Sequence, residues 1–181
     1  MALEGSPPSW RELHPVGRLD ADTSGLLLFS RDGKLTQHLL HPRQRVEKEY
    51  VATVGGHNAV LDDGASALRA ALLAGVATGE GTHVAELVEA RAPSDADLES
   101  VSASTELSGI DPEPPVATLR LVVREGKHRM VRRMLANSGH PVLALRRVRF
   151  GAVSLDEAEL PLGSLRAVDG TALAWAEGLA D

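Results

Sequence analysis

The chain has 181 residues, 43% hydrophobic and 24% charged, which is the make-up of a globular domain with one buried core and excludes a disordered tail. With Cys at 0 it holds no disulfide, thiolate zinc site, iron–sulfur cluster or cysteine nucleophile, and it suits a reducing compartment. No apolar stretch approaches the ~18 residues of a membrane span, the start resembles neither a signal peptide nor a transit peptide, and the formal charge of -6 argues, as an average, against a polyanionic partner.

In chain order, Leu26-Leu27-Leu28-Phe29-Ser30 is a short apolar run closed by Asp32-Gly33 and predicts a buried strand. Leu35, Leu39 and Leu40 then recur at helical spacing, and Pro42 stops that helix. Tyr50 to Val54 alternates with β-branched residues and reads as a strand. Asp62 to Leu73 reads as a helix behind an Asp cap, and His83 to Val88 as a strand. Residues 92–115, rich in Pro, Ser, Asp and Glu and without period, are expected as an exposed insertion. Ala117, Leu119, Leu121 and Val123 share one face of a half-buried strand. In the following helix, Val131, Met134, Leu135 and Ser138 fall on one side and Arg129, Arg132 and Arg133 on the other, with Gly139 as its stop. Val142 to Phe150 is a last long strand, and Thr171 to Trp175 a closing helix.

The average charge hides a segregation. Residues 51–121 carry three basic side chains against eleven acids, whereas residues 122–149 carry Arg124, Lys127, Arg129, Arg132, Arg133, Arg146, Arg147 and Arg149 against Glu125 alone. Such a cluster is either a solvated face or the footprint of a nucleic-acid or phosphate partner.

The string from Gly17 to Leu28, GRLDADTSGLLL, is a polar Asp-rich loop leading into an apolar run. Its Asp20, Asp22 and Ser24 match the opening of a calcium loop, but the twelfth position is Arg31, which removes the bidentate ligand. Two readings stay open: Asp20 and Ser24 cap a turn, or an acid is held at a strand mouth beside arginine. His14, His38 and His41 lack the partners of a zinc site and read as exposed imidazoles. The glycines of residues 75–81 lack the Lys-Ser/Thr ending of a phosphate loop, and no serine sits in a nucleophile elbow. A small-molecule hydrolase therefore has no motif to rest on. Tyr50, the single tyrosine, is either a packing residue or a platform on which a base stacks, a contact of about 1–3 kcal/mol.

Four strings, GRLDADTSGLLLFSRDG, EKEYVATV, EGKHRMVRRML and LRRVRFG, occur in the order found in the RsuA-type pseudouridine synthases, which isomerise uridine in ribosomal RNA, and the resemblance covers most of residues 16–155. It implies a mixed α+β fold with a largely antiparallel sheet and flanking helices, and a single catalytic domain over 1–181 without a separate N-terminal RNA-binding domain. It also implies Asp20 as the catalytic aspartate, Tyr50 as the tyrosine stacking on the target base, Arg132 as the basic partner of that aspartate, and Arg18 and Leu145 in the substrate pocket. Lys127, Arg129, Arg133, Arg146, Arg147 and Arg149 are then expected to bind phosphates around a flipped-out uridine. No cofactor or metal is implied. Large-subunit ribosomal RNA is the favoured partner, with no membrane, a monomeric state and a cytoplasmic location, or an organelle in a eukaryotic host. A catalytically inactive RNA-binding protein of the same fold is the alternative. Residues 1–15 contain no Lys-Pro-Gly-type motif, so the sheet is expected to lack the family's usual first strand, and Met130 stands where Gln is common.

Overall fold

The computed structural model describes residues 12–56, 58–108, 114–155, 160–168 and 170–178. Three short strands come first, β1 (His14–Pro15), β2 (Thr23–Gly25) and β3 (Phe29–Ser30), followed by α1 (Gly33–Leu40). Asp32 starts α1 by accepting the N–H groups of Lys34 at 2.8 Å and Leu35 at 3.2 Å, two donors that the first turn leaves without a helical partner. β4 (Lys48–Val54) then enters the main sheet, and α2 (Ser66–Ala74) follows, with the Asp63 carboxylate accepting from the N–H groups of Ser66 and Ala67. A hairpin of β5 (Val76–Thr78) and β6 (Gly81–His83) precedes β7 (Glu86–Arg91) and α3 (Asp95–Ser108). The last part runs β8 (Ala117–Val123), α4 (Met130–Asn137), β9 (Val142–Phe150), β10 (Val153–Ser154) and α5 (Gly170–Gly178).

The main sheet has the order β10-β9-β4-β8-β7, with β2 also on β9. The β2–β9 pairing is parallel and the others in this sheet are antiparallel, so the expected largely antiparallel α+β architecture is observed. Alternation along the strands sends Ala52, Val54, Leu87, Leu119 and Leu121 to one face, where they pack with Leu68 and Leu72 of α2 and Met130, Val131, Met134 and Leu135 of α4. Each of the buried Val, Leu and Met side chains contributes about 1.5–3 kcal/mol of apolar transfer free energy. A second cluster of Val16, Leu26, Leu39, Val46 and Phe150 fixes the segment before β2 and α1 against the end of β9.

Of the strand expected over 26–30 only Phe29–Ser30 is formed, as β3; the pairing with β9 lies earlier, in β2, and the chain leaves the main sheet after Leu26, whose N–H donates to the Arg147 carbonyl at 2.8 Å. Phe29 is 42% exposed, so the apolar run is not a wholly buried strand. The strand expected over 83–88 is divided between β6 and β7. Residues 92–115 are not simply an exposed insertion: α3 lies within them, packs against β9 and buries Val101 to 5% exposure. The expectation that the sheet lacks the family's usual first strand rests on residues 1–15, of which 1–11 lie outside the described residues.

Candidate active site

The sheet assembles a cleft of about 420 Å³ from segments distant in sequence. β4 lies between β8 and β9, and Tyr50 pairs with Leu121 on one side and Arg147 on the other. Lys48, two residues earlier and therefore on the same face, pairs with Val123 and Phe150. The register shifts between Glu49 and Tyr50, skipping Val148, so β9 carries a bulge there. That extra residue brings Arg147 and Phe150, three positions apart, to one face, and the Arg147 guanidinium carbon sits 5.4 Å from the Phe150 ring centroid. β2 pairs in parallel with β9, Thr23 opposite Leu145 and Gly25 opposite Arg147, and so carries the preceding loop into the cleft. The Thr23 N–H donates to the Asp20 carbonyl at 2.9 Å and closes that loop as a tight turn.

Asp20, Arg18, Tyr50, Leu145, Lys127, Arg129 and Arg147 all line this cleft. Arg132 does not line it but supports its wall. Arg132 Nη1 donates to the Val142 carbonyl at 3.0 Å, Nη2 donates to the Asp22 carbonyl, and Nε lies 3.3 Å from Asp22 Oδ2. The ion-pair partner of Arg132 is therefore Asp22 and not, as expected, Asp20. Arg129 adds a bidentate pair to the same carboxylate, Nη1 to Oδ1 and Nη2 to Oδ2, both at 2.8 Å. These bonds hold the Asp22 carboxyl below its usual value: the Arg129 hydrogen bond acts first, burial opposes it, and the charges of Arg132 and Arg129 add to it. Arg132 is itself pushed down by burial, though a guanidinium stays charged at any ordinary pH. Among the described residues no ion pair within 4 Å engages Asp20, so its carboxylate faces the cleft while its neighbour takes the arginines.

Arg129 adopts a left-handed backbone (φ 51°) just before α4, a strained conformation for a side chain of this kind, and this is what turns its guanidinium back onto Asp22. Arg133 pairs with Glu80 at 2.7 Å. Arg149 is engaged by Glu47 at 3.1 Å and Glu49 at 2.8 Å, so it does not present the free charge expected of it. Arg146 lies outside the cleft lining, and Arg147 lines the cleft but is 2% exposed, so it is not part of an exposed basic rim. Of the three histidines considered for metal, His41 accepts the Arg43 N–H through Nδ1 at 3.2 Å, and His38 contacts the Gln44 amide. Two residues here have no role on sequence grounds: Asp22, which reads only as a calcium-loop position but engages the two arginines behind the cleft, and Lys48, whose position two residues before Tyr50 already puts both on one strand face.

Against this geometry, the profile of the RNA pseudouridylate synthase family matches residues 3–137. The chain belongs to that family. It is 37% identical over 158 residues to an uncharacterized RNA pseudouridine synthase of Mycobacterium tuberculosis, covering 87% of this chain and 52% of that protein. To the ribosomal large subunit pseudouridine synthase B of Bacillus subtilis it is 31% identical over 145 residues, covering 80% and 50%. The chain thus spans about half the length of these curated relatives. Among solved structures, a pseudouridylate synthase crystal structure superposes with a TM-score of 0.69 at 26% identity, covering 96% of this chain and 62% of that one. The resemblance carried by the four strings, and the fold it implied, are borne out.

Proposed function

We propose that this chain isomerises uridine to pseudouridine at a specific site in ribosomal RNA, with large-subunit RNA as the favoured substrate and Asp20 as the catalytic carboxylate. The observation that carries the reading is the cleft itself. It joins an acid with no ion-pair partner among the described residues (Asp20), an aromatic face (Tyr50), an apolar wall (Leu145) and exposed cations at its rim (Arg18 and Lys127). The names of the relatives supply the substrate class.

In this reading the target nucleoside leaves its stack and enters the cleft, because a base stacked in a helix cannot present its sugar. Tyr50 and Leu145 hold the uracil between an aromatic and an aliphatic surface. Asp20 acts either as the nucleophile at the anomeric carbon or as the base toward a sugar proton, and the N-glycosidic bond breaks. The detached uracil rotates and rejoins through carbon, as the bond from Asp20 to the sugar breaks or the proton Asp20 took returns to the sugar; the hydrogen on that ring carbon is lost and the ring nitrogen ends protonated. The product is an isomer, so the balance needs no oxidant, reductant or water. Asp22, by engaging Arg129 and Arg132, positions the loop that carries Asp20. The monomeric state and a location in the compartment where ribosomal RNA is made, a bacterial cytoplasm or an organelle, belong to the same proposal. Mapping pseudouridines in ribosomal RNA from cells with and without the gene tests it. The expected result is loss of one site or a few neighbouring sites; an unchanged map would refute the assignment.

A further inference from the structure

We infer that Lys48 and Arg147 form an anion subsite at the Phe150 end of the cleft that takes a backbone phosphate beside the bound nucleoside. This rests on the reading of the cleft as an RNA site and adds a contact inside it, apart from the exposed basic rim.

Both side chains line the cleft and both sit on one ring, with Lys48 Nζ 5.1 Å and the Arg147 guanidinium carbon 5.4 Å from the Phe150 centroid. Arg147 is 2% exposed, and its Nε donates to the Leu26 carbonyl at 2.8 Å. Its buried Nη2 has no hydrogen-bond partner. Lys48 uses one of its three donors on the Val46 carbonyl at 3.0 Å. The acids flanking these residues are committed elsewhere: Glu47 to Arg124 and Arg149, Glu49 to Arg120 and Arg149, and Glu125, which also lines the cleft, to His83 at 2.9 Å. Among the described residues, then, no carboxylate lies within 4 Å of either cation.

Two buried or half-buried cations that share a ring and lack a counterion are costly until an anion joins them. Burial, with the Arg147 charge second, holds the Lys48 ammonium below its usual value, as that arrangement requires. A neutral uracil carbonyl would satisfy one N–H and leave the excess charge; a phosphate oxygen pair answers both the open Nη2 donor and the charge. Tyr50 pairs with Arg147 across β4 and β9, so a phosphate held here lies along the strand edge next to the stacking platform.

The test is an NMR titration of the full chain at low ionic strength with inorganic phosphate, uridine 5′-monophosphate and uridine in turn, reading the Lys48 Cε and Arg147 Nε–H signals. Phosphate and the monophosphate are expected to shift both signals and uridine neither. Lys48→Gln should weaken the monophosphate about tenfold, as loss of a charge-assisted bond does, while Lys48→Arg keeps it within about threefold. The inference is overturned if uridine shifts the two signals as strongly as its monophosphate, if phosphate shifts neither, or if Lys48→Gln, folded by its amide spectrum, binds the monophosphate as the parent does. The titration needs no turnover, so failure of the isomerase assignment and failure of this subsite give different results.

Discussion

Two aspartates two positions apart have opposite environments, and this division decides the chemistry available to the cleft. Asp22 accepts a bidentate bond from Arg129 and lies 3.3 Å from Arg132, whereas Asp20 lines the cleft and has no such pair among the described residues. The sequence makes legible an Asp-rich loop and an arginine that folds beside it, but not which carboxylate that arginine engages, since this depends on the path of β2 and the turn before α4. The consequence is measurable as a pH dependence. Because the Arg129 hydrogen bond holds the folded-state pKa of Asp22 below the ordinary carboxylate value, its pairing stabilises the fold above that ordinary value, and the stabilisation is lost as pH falls through the lowered folded value. Asp22→Asn should therefore be less stable than the parent at pH 7, by about 1 kcal/mol or less given the solvent screening of a partly exposed pair. Denaturant melts should show that gap narrowing as pH falls through the carboxylate range toward the lowered folded value. A gap of the same size at pH 7 and pH 3 would mean that the carboxylate charge is not what Asp22 contributes.

Between elements, the cleft depends on how closely β2 approaches β9. Gly25 has φ 103°, and a Cβ there would stand 2.2 Å from the Arg147 carbonyl oxygen, so no side chain fits without parting the two strands. Gly25→Ala is expected to cost about 2 kcal/mol or more and to lower Tm by about 4–8 °C in a chain of this length. A melting temperature within a degree of the parent would remove this contact from the account. The long elements were readable because their periods are clear: β8 buries Ala117, Leu119, Leu121 and Val123, and β9 runs from Val142 to Phe150 as expected. α3 was not readable as a helix because one of its inward positions is Asp97, bonded to Arg91 at 2.6 Å and to Ser94, and Val101 alone gives an apolar stripe too thin to show a period. The bulge that skips Val148 left no mark in the sequence either, since a bulge is set by the partner strand's register and not by local composition.

At the scale of the whole molecule, the net charge of -6 is a poor guide, because it averages a basic segment against acidic flanks and because many of the basic charges are already paired. The sequence indicated where the cations are; folding decides which of them remain available. Lys127 is exposed at the cleft rim with no ion pair among the described residues, whereas Arg149 is held by two glutamates. Lys127→Ala should therefore lower the slope of log affinity for RNA against log salt by about 0.7–0.9, the contribution of one phosphate contact, while Arg149→Ala leaves it nearly unchanged. Equal slopes for the two variants would show that the ion pairs of Arg149 open when RNA binds. The central claim, that the Asp20 carboxylate performs the isomerisation, is tested most directly by incubating ribosomal RNA with the parent chain and with Asp20→Asn and measuring pseudouridine formed and RNA bound. The expected result is pseudouridine from the parent and none above background from Asp20→Asn, with RNA affinity unchanged; conversion by Asp20→Asn at the parent's rate would contradict it.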